Sequence, residues 1–423
     1  MISPRLLSLV RCPECHGTLR ESPGALTCGS CGRTYGSASG DFLDLRPHVA
    51  FEERTKYLDE ALHADARHER VSPPLLGSKI RNDMLRAFLA PTPSDVVADL
   101  GCGSGRALLW NRDWGSATVG IDIAPFFARD ARQQVDLVIG DLRRLPFADA
   151  AFTKAYSLDV LEHLSPDALR GMLREAARVI APGGSLFVYT HVRKNARIAM
   201  GLRWVNALAR QLDRAHLIDL RQEHLRKADH LNPLADIPEL RRVAGETGFR
   251  ITRIRYYTPI VGGFVENILV RMAERQLARR AARRLASKMD GASADRQAIK
   301  EARSAAKAQI AASAATRAAF RALTVAMKLD LLLFGSIESG PFFALLEKKT
   351  EVRADRGDGR DGGDGEEHEG NGSNKRSNEG NEGQRRFSSV SLRFLRCFVF
   401  EIRSLRVLRS LRVLRVLRGC ARR

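Results

Sequence analysis

Asp99-Leu100-Gly101-Cys102-Gly103-Ser104-Gly105-Arg106 is the stretch on which the fold turns. It follows Val96-Val97-Ala98, a short apolar run that reads as a buried strand. Three glycines at a spacing of two let the backbone turn sharply and approach a ligand with no Cβ in the way. A glycine-rich turn leaving a strand is how doubly wound α/β folds bind nucleotide-like molecules. Tight turns also take glycine for steric reasons alone, so the surroundings decide the reading.

Val119-Gly120-Ile121-Asp122 is a second apolar strand ending in an acid, 23 residues past Asp99. In dinucleotide folds an acid about 20 residues beyond the turn accepts hydrogen bonds from ribose hydroxyls. Residues 135–141 make a third strand, also ending in an acid, Asp141. Residues 152–157 make a fourth, and 185–190 a fifth, entered through Pro182-Gly183-Gly184. Between these last two, Leu169, Met172, Leu173, Ala176 and Ile180 recur at helical spacing. Residues 237–248 read as a further helix, 249–258 as a sixth strand and 342–347 as the last. Strands alternating with helices imply a parallel sheet covered on both faces. Asp99, Asp122, Asp141 and Ser157 then collect at the strand ends, where such sheets bind ligands. Any one acid serves equally well as a helix cap; three at matching positions exceed what capping explains.

These residues resemble the class I S-adenosylmethionine-dependent methyltransferases, closest to the small-molecule group called type 11. The resemblance covers residues 75–260 and a final strand near 341–349. It rests on the glycine stretch, Gly120-Ile121-Asp122, Gly140-Asp141-Leu142 followed by Leu145-Pro146-Phe147, Ser157-Leu158-Asp159-Val160-Leu161-Glu162-His163-Leu164, and Val179-Ile180-Ala181-Pro182-Gly183-Gly184. It implies a Rossmann-like seven-stranded α/β sheet, six strands parallel and the last antiparallel. It further implies S-adenosyl-L-methionine as cofactor. Gly101 and Gly103 would pass against its methionine part and Asp99 would sit near its amino group. Asp122 would hold the ribose hydroxyls, and Asp141 with Leu142 would meet the adenine. Cys102, Gly105, Ile123 and Ser157 complete the expected cofactor set. A nicotinamide cofactor is the alternative for the fold, but the glycines run G-x-G-x-G and not G-x-G-x-x-G.

Methyl transfer from a sulfonium needs alignment and exclusion of water more than acid–base chemistry. A base is required only where the acceptor carries a proton at neutral pH. His163 is the best candidate for such a base; the alternative is a helix-start residue packing against the cofactor cleft. Glu162 reads as a cap or cleft residue. After the fourth strand stands Ser157-Leu158-Asp159-Val160, without the Asn/Asp-Pro-Pro-aromatic run that in the family marks methylation of planar exocyclic amines. Residues 192–234, with Arg193, Arg203, Trp204, His216, His224 and His230, suit an acceptor-binding cap or a solvated helical pair.

Cys12-Pro13-Glu14-Cys15 and Cys28-Gly29-Ser30-Cys31 are two C-x-x-C knuckles separated by 12 residues. Four thiolates from paired knuckles fit a structural, tetrahedral Zn2+. Gly29 and Gly32 ease the turns around it, and so short a segment needs a metal staple. The segment resembles zinc ribbons found ahead of many bacterial methyltransferases. Arg11, Arg20, Arg33 and Tyr35 are too few to make an RNA-binding face, which favours a brace or substrate-lid role.

The net charge of +20 would suggest an acidic partner were it spread over the fold. Residues 271–328 carry 14 basic and 4 acidic side chains, and residues 351–423 carry 17 and 11, which leaves +4 for the rest. The catalytic fold therefore carries no nucleic-acid signature. Residues 278–286 and 302–322 are Ala- and Arg-rich and should be helical. Residues 323–334 are apolar but too short to span a bilayer. A basic helix beside an apolar one suits a peripheral contact at the inner face of the membrane; packing on the enzyme or a dimer contact accounts for it as well. Residues 353–384 have the composition of a disordered tail. The Leu-Arg repeat of residues 404–418 turns its leucines about 60° per repeat around a helix, makes no apolar face and is assigned no function.

The expected organisation is a zinc ribbon (1–46), linker and leading helices (47–90), a methyltransferase domain (91–264), a helical insertion (265–340), the last strand (341–350) and a low-complexity tail (351–423). The expected function is a cytoplasmic methyltransferase acting on a small-molecule or lipid-linked acceptor. The alternatives are an rRNA base methyltransferase using the ribbon for RNA contact, and a non-catalytic cofactor-binding partner protein.

Overall fold

A computed structural model describes residues 3–36, 41–48, 71–192, 200–215, 217–218, 230–257, 260–273, 275–276, 314–338 and 340–350. The expectations for residues 49–70, 278–286, 302–313 and the tail beyond 350, and for Arg193, His216 and His224, lie outside them. The ribbon contains α1 (Pro4–Leu9), β1 (Leu19–Ser22), β2 (Ala25–Cys28), β3 (Thr34–Gly36) and β4 (Leu43–Asp44). Then follow α2 (Leu76–Leu89), β5 (Val96–Leu100), α3 (Arg106–Trp110), β6 (Ala117–Asp122), α4 (Arg129–Gln134), β7 (Asp136–Ile139) and β8 (Phe152–Leu158). The chain continues through α5 (Pro166–Val179), β9 (Ile180–Thr190), α6 (Met200–Arg214), α7 (Ile237–Glu246) and β10 (Phe249–Tyr256). Last come α8 (Val261–Phe264), α9 (Ala314–Phe334) and β11 (Phe342–Lys348).

β1, β2 and β3 make a small antiparallel sheet. The main sheet runs β10-β11-β9-β8-β5-β6-β7-β4, with β11 antiparallel to both of its neighbours. Among the described residues it thus has eight strands where seven are expected. The extra one is Leu43–Asp44, paired parallel to β7 through Leu43 with Val138 and Asp44 with Ile139. The central strands are buried on both faces, which is why they read as continuous apolar runs and not as alternation.

The α5 helix starts where Ser165 accepts the Ala168 N–H and Pro166 occupies the first turn. It turns Leu169, Met172, Leu173 and Ala176 into the core. Pro182-Gly183-Gly184 is not the lead-in to β9 but lies within it, because the strand already begins at Ile180. The pairing with β8 shifts register there, Gly183 has φ +74°, and a Cβ on Gly184 would fall 2.5 Å from the Thr153 carbonyl.

The ribbon is welded to the sheet edge. Leu6, Val10, Leu26, Tyr35 and Leu45 belong to the same buried core as Ala98, Ile121 and Phe147. The Arg11 N–H donates to the Pro146 carbonyl at 2.9 Å, and the Leu45 N–H to the Ile139 carbonyl at 2.8 Å. Ser3 Oγ donates to Asp136 at 2.9 Å. An edge that would otherwise present unpaired backbone is covered by this segment.

The α9 helix packs on α2, and Met327 and Leu331 enter the core beside Met84 and Phe88. Lys328, fully buried, places Nζ 2.6 Å from Asp83 Oδ2, and Asp83 also pairs with Lys79. Asp330 accepts the backbone N–H groups of Ile260, Val261 and Gly262, fixing the start of α8. The apolar stretch of residues 323–334 therefore spends its inner side on α2, while Leu329 and Leu333 remain exposed. Among the described residues no helix is long and apolar enough to cross a membrane.

Candidate functional site

The turn after β5 holds Gly101, Gly103 and Gly105 at φ +84°, +53° and +76°, a region costly for any other residue. The three positions serve different ends. A Cβ on Gly101 would lie 2.4 Å from Val160, and one on Gly105 2.8 Å from Ala131. A Cβ on Gly103 would meet nothing within 4 Å, so this residue alone faces open space. Asp122 pins the turn: its Oδ2 accepts the Gly103 N–H at 2.7 Å and its Oδ1 the Ala124 N–H at 3.3 Å.

The open space is a cavity of about 610 Å³ at the carboxyl ends of β5, β6 and β8. Asp99, Gly101, Cys102, Gly103, Asp122, Ile123, Asp141 and Leu142 line it, and so does His163. Gly105 and Ser157, expected there, do not. Gly105 is the residue from which α3 starts. Ser157 is fully buried, and its hydroxyl donates to the Leu100 carbonyl at 2.7 Å, tying β8 to β5.

Burial pushes the Asp99 carboxyl well above the usual range; the Tyr156 hydroxyl opposes this and the Asp122 charge adds to it. Burial likewise raises Asp122, against its backbone N–H donors. Two neighbouring buried acids in one cleft favour a ligand that brings hydrogen-bond donors or positive charge. Asp141 differs. The Arg143 guanidinium grips it at 2.8 and 3.0 Å and the Arg143 N–H reaches its other oxygen at 2.8 Å. It is therefore committed to shaping the loop that presents Leu142.

His163 is not isolated. Its ring stands edge-on to that of His230 at 4.6 Å, and His230 lies 5.2 Å from His191. Glu162, buried at 2% exposure, accepts the Thr190 hydroxyl at 2.9 Å and lies 3.8 Å from His191 Nδ1. Burial, with the Asp159 charge adding to it, pushes Glu162 up to about 8. The Asn232 N–H donates to the Glu162 carbonyl at 2.9 Å and so fastens the 230–232 segment beside Glu162 and His163.

Sequence reasoning missed three residues at or beside the site. Arg81 and Ser78 of α2 line the cavity, with the Arg81 guanidinium 5.4 Å from the Tyr189 ring centroid. No motif marks them; a helix face alone brings them in. His191 follows β9 directly, and the rule that sites gather at strand ends would have found it.

The four knuckle cysteines bring their sulfurs within 4.8 Å of one another, with 3.7 Å between Cys12 and Cys31 and 3.5 Å between Cys15 and Cys28. Zinc–sulfur bonds of about 2.3 Å at tetrahedral angles put the sulfurs about 3.8 Å apart, so the thiols fit Zn2+. None is in a disulfide. Gly32 takes φ +71° as expected, whereas the close approach falls on Gly17, whose Cβ would meet Cys28 Sγ at 2.9 Å.

Residues 98–188 match the methyltransferase domain family Methyltransf_11, and residues 3–35 match the Trm112p-like protein family. The chain thus carries a class I S-adenosylmethionine-dependent methyltransferase domain behind a Trm112-like zinc ribbon. A probable tRNA methyltransferase 9B of Mus musculus is 32% identical over 144 residues, 33% of this chain and 32% of that protein. A sterol 4-C-methyltransferase of Caenorhabditis elegans is 31% identical over 172 residues, 37% of this chain and 50% of that one. The chain therefore spans a third to a half of the length of these relatives. Among solved structures, a Haemonchus contortus phosphoethanolamine N-methyltransferase 2 with S-adenosyl-L-methionine is 16% identical at a TM-score of 0.42, covering 70% of this chain and 59% of that one.

Proposed function

We propose that the protein transfers a methyl group from S-adenosyl-L-methionine to a small-molecule or lipid-linked acceptor. The observation that carries the reading is the cavity in which Gly103, open on its Cα side, is fastened by its N–H to Asp122. When bound, the cofactor supplies a sulfonium methyl with a good leaving group. Asp99 and Asp122 supply the negative side of the cleft for an amine and for ribose hydroxyls, and Leu142 an apolar wall for a base. Val160, packed against Gly101, closes the floor. His163 is the histidine that reaches the acceptor's space.

A small acceptor is favoured because the ribbon spends its apolar side on the sheet edge and its basic residues are few. Glu162 and His163 are joined to the 230–232 segment by the Asn232-to-Glu162 backbone bond and by the His230 ring, a tight polar corner that suits a small substrate more than a base in a long RNA. Titration calorimetry with S-adenosylhomocysteine tests the cofactor half. We expect binding, weakened by about 1–3 kcal/mol in Asp122→Ala through loss of charged hydrogen bonds. Absence of binding to the folded, zinc-loaded chain refutes the proposal. Labelled cofactor with fractionated extract tests the acceptor half: label in lipid or soluble metabolites is expected, and label in RNA overturns it.

A further inference from the structure

The geometry points to a second metal site, for a divalent first-row transition cation, formed by Glu162, His163 and His230 beside the cofactor cavity. Each of the three offers one ligand atom, and these atoms lie within 4.8 Å of one another. Ligands about 2.1 Å from one ion stand at most about 4.2 Å apart, so closure requires movements under about 1 Å. Two imidazoles and one carboxylate are a donor set that suits Zn2+ or Fe2+ and leaves positions open.

Four further features fit an ion. Glu162 is 2% exposed, so its carboxyl oxygens are withdrawn from water, and a cation placed between them and the two imidazoles would take the place of that water. The Thr190 hydroxyl fixes one Glu162 oxygen at 2.9 Å, the kind of outer hydrogen bond that orients a ligating carboxylate. His191, 3.8 Å from the other oxygen, stands ready as a fourth donor or as a partner to the first three. The segment carrying His230 is held in place by the Asn232-to-Glu162 backbone bond, so the second imidazole is positioned and not merely nearby.

The inference rests on the methyltransferase reading for its consequence alone. His163 lines the cavity, so an ion on it would present its open positions to the acceptor. The acceptor class this selects is an oxygen acid, a hydroxyl or enol, which on coordination loses its O–H proton to water. The coordinating histidine would then hold the ion and not itself take the proton.

Equilibrium dialysis of untagged, zinc-loaded full-length protein against Ni2+, read by elemental analysis, tests the site. Nickel binds nitrogen and oxygen donors more tightly than iron or manganese and is distinguishable from the ribbon's zinc. We expect one equivalent of Ni2+ beyond the ribbon zinc, with affinity falling at least tenfold in His230→Ala and in His163→Ala, and unchanged in His48→Ala, whose ring packs on Tyr35 of the ribbon. Near-ultraviolet circular dichroism checks each fold; should a core variant unfold, His230→Ala, on a half-buried loop position, decides. No retained nickel, or equal affinity in His230→Ala, overturns the site. S-adenosylhomocysteine calorimetry on the same samples separates the two readings: cofactor binding without nickel rejects the metal site alone, and nickel without cofactor binding rejects the methyltransferase reading alone.

Discussion

The ribbon and the glycine turn are both small, both built around residues with special chemistry, and held by different means. The turn is fastened by directional bonds from its own neighbourhood: Asp122 to Gly103 and the Ile121 carbonyl to the Gly101 and Cys102 N–H groups. The ribbon adds burial to its few hydrogen bonds with the sheet, because Leu6, Val10, Tyr35 and Leu45 lie in the main core with Phe147 and Ile121. A region held by local hydrogen bonds can lose its ligand without losing its fold. One that shares its core with the sheet cannot fail alone, since packed apolar groups lose contacts together.

The largest test of that difference is removal of the ribbon metal. Cys28→Ser, or a strong chelator, should destabilise the whole domain by at least about 3 kcal/mol, since zinc binding here is folding free energy and the ribbon's core is the enzyme's core. Chemical denaturation followed by tryptophan fluorescence reports it, because Trp110 and Trp114 lie in the sheet domain and not in the ribbon. A ribbon that melts separately, leaving the tryptophan transition in place, would show that the shared core does not couple the two.

Next come the two glycines of the turn. Gly101→Ala should cost about 1–3 kcal/mol of stability, because φ is +84° and the new Cβ meets Val160 at 2.4 Å. Gly103→Ala adds a Cβ that meets nothing, so only the backbone cost of about 1 kcal/mol falls on stability. That methyl enters the cavity, and S-adenosylhomocysteine affinity should fall by at least tenfold. Melting curves and calorimetry on both variants read the split. Equal losses of affinity and stability in the pair would remove the distinction between a turn glycine and a cleft glycine.

This split marks the limit of what sequence could show. The G-x-G-x-G pattern, the acids at strand ends and the C-x-x-C pairs have fixed spacings, so the sheet, the cleft and the thiol cluster were legible. The jobs of Gly101 and Gly105 were not, since their neighbours Val160 and Ala131 come from distant segments. β4 was illegible for a plainer reason: two residues carry no periodicity. The ribbon's inward residues also look like a private core until the edge of β7 is placed beside them. Arg81 reaches the cavity through packing of a helix face, and no spacing rule joins it to the turn, whereas His191 stands at a strand end where the rule for such sheets points.

The smallest effect concerns the seam where ribbon meets sheet. Asp136, at the start of β7, accepts the Ser3 hydroxyl of the ribbon, and burial raises its carboxyl, opposed by that hydrogen bond and by Arg5. An acid whose folded pKa lies above its unfolded value binds more protons in the folded state over the interval between them. Stability is then greatest below the unfolded value and declines as pH rises through the folded one. At neutral pH the ionised Asp136 therefore weakens the seam. Asp136→Asn keeps an oxygen for Ser3 and removes the charge, so it should stabilise by less than about 1 kcal/mol at pH 7. The gain should vanish near pH 3, where Asp136 is itself neutral. Paired melting curves at the two pH values measure it, and a gain independent of pH would mean that packing of the ribbon, and not the charge beneath it, sets the strength of the seam.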